Sequence, residues 1–285
     1  MKINNPKPFA IRLKRVVRSR CELGEGLFVK NGVAAWVDIN KNQVFLSVES
    51  ELKCLPTKNK PSIIYDIVEN EIKLGCDVGL TVLNSLTKHE VLLNDMSDIH
   101  DFREYRSNDG GFCGGHRLLG FMLREAPETK PGYVYRVSDS ANYLLDESIH
   151  IPNSFIEIEP SKVLISDSLT GQIWLYELDA YGNFLTKVLW IQLEPGVTPD
   201  GGCLAGDYIL VALWDAAAIA VFDRKGNLLD RLSLPVLRPT NCKFDPTTSQ
   251  LWVTSASEGL SKDQMDAYPY SGDTLVYTLE ANPGC

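Results

Sequence analysis

Five short stretches of the chain place a carboxylate or an amide at the head of an apolar run. They are Glu25 before Leu27-Phe28-Val29, Asn108 in Arg106-Ser107-Asn108-Asp109-Gly110, Asn153 after Ile151-Pro152, Asp200 after Thr198-Pro199, and Asn241 after Arg238-Pro239-Thr240. If the fold brings them together, two carboxylates and three amides face one confined space. Buried oxygens of that kind need water or a cation to satisfy them. Oxygen donors without thiolate or imidazole suit a hard divalent ion such as Ca²⁺, Mg²⁺ or Mn²⁺, and can also hold zinc. A second reading stays open, because Asn, Asp and Gly beside proline are also ordinary turn chemistry.

Residues this far apart in sequence converge only if repeated elements present them at equivalent positions. The prolines Pro152, Pro199 and Pro239 lie 47 and 40 residues apart, and Trp174, Trp214 and Trp252 follow at similar intervals. Around them the chain reads as apolar, β-branched and aromatic runs of four to seven residues, broken by Gly, Pro, Asn, Asp and Ser. Long helical periodicity is missing. A repeat of several short strands at this length is the signature of a β-propeller, whose blades are four-stranded sheets around a central channel. A period of roughly 45 residues goes about six times into the 285-residue chain, and no linker or composition shift divides it. The expectation is an all-β, six-bladed β-propeller of four-stranded antiparallel blades, forming one domain over residues 1–285.

Blades one to three are expected to use Leu27–Val29, Ala34–Ile39 and Gln43–Leu46; then Ser62–Tyr65, Gly79–Leu83 and Glu90–Leu93; then Leu118–Met122 and Tyr133–Val137. In the fourth and fifth, Ile173–Leu178 and Ile219–Asp223 lead into hairpin turns at Tyr181-Gly182-Asn183 and Lys225-Gly226-Asn227. The sixth uses Leu251–Thr254 and Thr274–Tyr277. Trp36, Trp174, Trp214 and Trp252 are expected to pack between sheets. Each innermost strand starts at one mouth of the channel, where the five polar residues would meet.

A net charge of −9 argues against a nucleic-acid partner, which needs a basic face. The one basic concentration, Arg12, Lys14, Arg15, Arg18 and Arg20, alternates with apolar residues and reads as a solvated edge strand. No apolar stretch approaches the 18 or so residues of a membrane helix. The first twenty residues lack the apolar centre of a secretory signal, so the expected location is cytoplasmic. Seven cysteines, with no C-x-x-C pair, speak against a disulfide framework or zinc ribbon and read mostly as small core residues. His89, His100, His116 and His150 show no metal-ligand spacing.

The ordered set Leu23-Gly24-Glu25-Gly26, Trp36-Val37-Asp38-Ile39, Arg106-Ser107-Asn108-Asp109-Gly110, Ile151-Pro152-Asn153, Pro199-Asp200-Gly201 and Arg238-Pro239-Thr240-Asn241-Cys242 resembles the senescence-marker-protein/regucalcin and gluconolactonase family. The stretch from Thr254-Ser255-Ala256 through Gly259-Leu260-Ser261 to Tyr268-Pro269 is similar too. The resemblance implies a six-bladed propeller that opens a sugar lactone to the aldonic acid with one divalent cation in the channel, Ca²⁺ or Zn²⁺ foremost, Mg²⁺ or Mn²⁺ otherwise. Glu25, Asn153 and Asp200 would be its ligands, with Asp200 also the candidate general base. Arg106 and Asn108 would bind substrate, Glu125 is a further substrate contact three residues past Met122, and Asn241 has a supporting place. Asp109 and Asp167 read as turn or strand-end acceptors. The implied partner is a small sugar lactone, and the expected state is a monomer or weak homo-oligomer. The same resemblance leaves open a hydrolase of other esters or organophosphates, or a calcium-binding regulatory propeller. Ser154, where the family usually has glycine, and Gly111-Phe112-Cys113-Gly114-Gly115, in place of an acidic turn, bear on substrate preference.

Overall fold

In the computed structural model, which describes residues 8–49, 51–99 and 103–281, six four-stranded antiparallel sheets stand in a ring. His100 and Cys285 lie outside the described residues. The chain begins with β1 (Phe9–Val17) and then lays down blade one as β2 (Gly24–Lys30), β3 (Val33–Asp38), β4 (Gln43–Val48) and β5 (Glu51–Pro56). Blade two is β6 (Pro61–Val68), β7 (Glu71–Cys76), β8 (Gly79–Asn84) and β9 (Glu90–Asp95); blade three is β10 (Tyr105–Cys113), β11 (His116–Leu123), β12 (Tyr133–Val137) and β13 (Asn142–Asp146). Blade four is β14 (Pro152–Glu159), β15 (Lys162–Asp167), β16 (Gln172–Leu178) and β17 (Phe184–Gln192); blade five is β18 (Thr198–Ala205), β19 (Tyr208–Trp214), β20 (Ala218–Phe222) and β21 (Leu228–Ser233). Blade six takes β22 (Arg238–Asp245), β23 (Gln250–Ala256) and β24 (Thr274–Ala281), with one short helix, α1 (Lys262–Ala267), before its last strand.

The fourth strand of blade six is β1, paired antiparallel with β24 from Phe9 opposite Ala281 to Val17 opposite Thr274. Arg12, Lys14 and Arg15 of the basic run therefore lie on an edge strand, as the alternation suggests, while Arg18 and Arg20 follow its end. Arg12 and Lys14 are exposed, Arg15 lies over the Trp252 ring at 5.2 Å, and Arg18 reaches Asp273 at 2.8 Å. Each innermost strand packs on the next, and β22 packs on β2, so the ring closes. Between blades the core is apolar: Trp36 stacks on Phe45 with ring centroids 5.7 Å apart and shares its cluster with Trp252. Those two tryptophans pack between sheets as expected, and half-buried Trp174 does so against the core of blades three and four, beneath Lys187, whereas Trp214 lies at the channel mouth. Among the six described cysteines five are buried and Cys54 is exposed.

Two features of the innermost strands position the channel residues. Aspartates at the end of the neighbouring strand hold the chain where it enters: Asp38 accepts the Glu22 and Leu23 N–H groups at 2.8 and 3.2 Å, and Asp167 accepts those of His150 and Ile151 at 3.1 and 3.2 Å. Each innermost strand then bulges just past its entry, between Glu25 and Phe28, Pro61 and Ile63, Ser107 and Gly110, Asn153 and Ile156, Pro199 and Gly202, and Pro239 and Asn241. A bulge turns the side chains beside it away from the regular alternation. Here it aims them at the ring axis.

Candidate active site

The strand entries of blades one, three, four and five open onto a cavity of about 210 Å³. Glu25, Asn108, Asn153 and Asp200 line it and are buried, and Arg106 reaches in beside them. Four of the five residues marked by type and spacing, Glu25, Asn108, Asn153 and Asp200, thus share one space, joined by Arg106, whose place the resemblance implies. Glu125 does not, because the chain after β11 runs out to the surface and leaves that carboxylate exposed. Asn241 sits one step deeper, against Gly201, and its Oδ1 has no hydrogen-bond partner. Blade two contributes no side chain to the lining.

Within the cavity the Asn153 amide donates to Asp200 Oδ1 at 2.5 Å and to Ser168 Oγ at 3.3 Å, and Ser168 in turn donates to the Pro199 carbonyl at 2.7 Å. Asp200 Oδ1 also accepts the Gly201 N–H at 3.0 Å. Arg106 donates to Asn108 Oδ1 at 2.8 Å and to the Ser107 carbonyl at 3.0 Å, and Asn108 donates to the Pro152 carbonyl at 3.1 Å. These contacts tie blades three, four and five together across the mouth. Arg106 makes no ion pair among the described residues, so it is not the surface salt bridge that an arginine in a loop usually forms.

Burial and mutual repulsion dominate the electrostatics. The Glu25 carboxyl is pushed well above the usual range by burial and by the charges of Asp200 and Asp109. Asp200 is pushed up to about 8 by burial and by Asp109, against the hydrogen bonds from Asn153 and Gly201. Asp109 lies deeper in the channel and is pushed up to about 7 by burial, with Lys243 opposing. Read from sequence as a turn acceptor, Asp109 instead leaves both carboxylate oxygens without a formed hydrogen bond, although the Gly110 and Ser154 N–H groups approach. Asp167 does act as the strand-end acceptor.

Ser154 explains how a non-glycine residue is tolerated beside the site. Its φ is +75°, and that of Phe155 is +45°, both in the left-handed region that costs side chains energy. The Ser154 hydroxyl offsets this by bonding Ser166 Oγ at 3.0 Å and the Asp200 carbonyl. It holds the backbone of Asp200 from below.

Two carboxylates and an amide form an oxygen-rich donor set, while among the described residues no three His, Cys, Asp or Glu side chains form a ligand cluster. Buried, mutually repelling carboxylates gain most from a nearby positive charge. The residues present therefore fit a hard divalent cation.

Sequence reasoning missed part of the lining. Trp214, taken for inter-sheet packing, is half-buried at the cavity wall with the Arg238 guanidinium 4.8 Å from its ring centre. Glu258 enters from the loop after β23, and Ser168 and Thr198 from strand ends. Such loop residues carry no periodic signal; Trp214 had one, and it was read for packing alone.

Comparison with known proteins agrees with this fold. A Rhizobium meliloti (strain 1021) protein named "Putative sugar lactone lactonase" is 27% identical over 271 residues, 91% of this chain and 90% of that one. L-arabinolactonase of Azospirillum brasilense is 27% identical over 182 residues, 60% of this chain and 59% of that one. The crystal structure of a calcium-binding regucalcin from Agrobacterium tumefaciens superimposes with a TM-score of 0.86 at 25% identity, covering 94% of this chain and 95% of that one. Residues 23–257 match the model of the SMP-30/Gluconolactonase/LRE-like region, and the chain belongs to that family.

Proposed function

We propose that this protein is a divalent-metal-dependent hydrolase that opens a sugar lactone to its aldonic acid in the channel-mouth cavity. The observation that carries the reading is the meeting of Glu25, Asn153 and Asp200 with Arg106 and Asn108 in one buried space. Relatives named as lactonases support the substrate class, and a calcium-binding neighbour supports a divalent ion.

Glu25, Asn153 and Asp200 would hold the cation. Bound there, it supplies Lewis-acid chemistry that polarises the lactone carbonyl and offsets charge on its oxygen. Arg106 and Asn108 donate to ring oxygens and hydroxyls and hold the ring in one orientation, which lowers the entropic part of the barrier. With the cation bound Asp200 would be ionised, and a carboxylate oxygen would take the proton from the attacking water. Asn153, bonded to Asp200 and Ser168, fixes the carboxylate's orientation.

The test is hydrolysis of an aldonolactone panel by chelator-stripped protein, with and without added Ca²⁺, Zn²⁺, Mn²⁺ or Mg²⁺, beside Asp200→Ala. Turnover restored by an ion in the wild type and absent in the variant supports the reading. Inactivity with every ion, despite calorimetric binding, sinks it.

A further inference from the structure

We infer that Glu258 is a specificity-determining residue that makes the cavity select uncharged lactones and reject those carrying a carboxylate or phosphate. This inference rests on the lactonase reading above. Glu258 lines the cavity from the loop following β23, and that loop is anchored at three points. Its N–H donates to the Glu22 carbonyl at 2.9 Å, its carbonyl accepts from Arg238, and its Oε1 accepts the Asn40 amide at 2.8 Å. Oε2 accepts no hydrogen bond among the described residues. The backbone of Glu258 is held at two points and its carboxylate at one, through Oε1, which leaves the other oxygen placed to accept a hydrogen bond from a ligand.

The charge balance of the lining gives that acceptor its meaning. Arg106 is the one cationic side chain among the described residues of the lining, and Glu258 lines the same cavity. Burial works against the Arg106 charge, and Glu258 is the largest single charge that supports it. The cations beside the lining have partners of their own: Arg238 pairs with Asp215 at 2.6 Å, Arg124 with Asp77 at 2.9 Å, and Lys60, whose charge is felt at Arg106, donates to the Ile39 carbonyl at 3.0 Å. With a divalent ion offsetting Glu25 and Asp200, and Glu258 offsetting Arg106, no uncompensated positive charge remains to receive an anionic substituent. An anion would meet a fixed like charge in a desolvated space, whereas a hydroxyl would find an acceptor. Trp214, Met122, Ile151 and Leu23 supply apolar surface for the carbon face of the ring.

The test is kcat/KM of the metal-loaded protein on uncharged lactones (glucono-1,5-lactone and galactono-1,4-lactone) and on acidic ones (glucaro-1,4-lactone and 6-phosphogluconolactone). The wild type is expected to favour the uncharged set, and Glu258→Gln to shift the ratio towards the acidic set by about tenfold. The shift should fall on KM more than on kcat, and Glu258→Asp should keep most of the wild-type preference. A merely structural residue would lower all substrates together. Equal wild-type use of both sets, or an unchanged ratio in Glu258→Gln with its melting temperature preserved, overturns the inference while leaving the lactonase reading intact. A wild type inert towards every lactone overturns both.

Discussion

Asp200 shows how much of this site is set by confinement. An aspartate normally titrates near 3.9, and burial with Asp109 close by pushes this one up to about 8. A carboxyl whose folded pKa is raised takes up a proton on folding, so the metal-free protein is favoured at low pH and loses that advantage as pH rises from about 4 towards 8. Replacing Asp200 with Asn removes the titration. The expected result is a metal-free Asp200→Asn variant whose melting temperature changes less between pH 5 and pH 8 than that of the wild type. In the wild type the melting-temperature gain from an added divalent ion should be larger at pH 8 than at pH 5. Asp146 gives the opposite sign. Burial would raise it, but hydrogen bonds from Ser148, Tyr176 and Lys187 outweigh burial and hold it below the usual range. Its contribution is present above pH 4 and lost as pH falls, so Asp146→Asn should cost about 1–3 kcal/mol near neutral pH and less in acid, read by denaturant unfolding.

At the scale of the strand, the bulges bring Glu25, Asn108, Asn153 and Asp200, distant in sequence, into one site. Gly201 fits only because it lacks a side chain: a Cβ there would lie 2.4 Å from the Asn241 amide. Gly201→Ala should destabilise by about 1–3 kcal/mol and displace Asp200, with at least a tenfold loss of kcat. Adding Asn241→Ala opens the space and should recover part of both, so a double-mutant cycle gives a favourable coupling energy. The same strands show what was legible in the sequence. Apolar runs bounded by turn residues located strands in every blade, three of four in the first two blades and fewer in the others, and the hairpin turns at Gly182 and Gly226 lie between β16 and β17 and between β20 and β21. β7 went unread because Glu71 and Lys73 interrupt its apolar residues, two of which complete the blade interface from the opposite face. The proline-led entries marked Asn153 and Asp200, since a bulge at a strand head leaves a local trace. Glu258 left none, because a loop places it. Glu125 was misplaced for the complementary reason: spacing along a loop does not fix direction, and this loop leaves the channel.

For the whole molecule, blade six is assembled from both ends of the described chain, with β1 supplying its outer strand. Removing β1 exposes the long edge of β24, and an unpaired edge is a template for association. A truncation that starts at Arg18 should therefore melt well below the full chain and elute partly as oligomers in size-exclusion chromatography. Pairing of Phe9 with Ala281 is also about as non-local as a contact in this chain can be. Loop-closure entropy must be met before that contact forms.

During synthesis this arrangement sets an order of events. Glu25, Asn153 and Asp200 emerge from the ribosome long before β24 does, and β1, made before any of them, has to wait for that same partner strand. A nascent chain is an open arc for most of its translation. Its acidic residues stay hydrated while the arc is open and are confined once β22 packs on β2, so a chain terminated before β22 would have neither the closed ring nor the confinement that raises the proton affinity of Asp200.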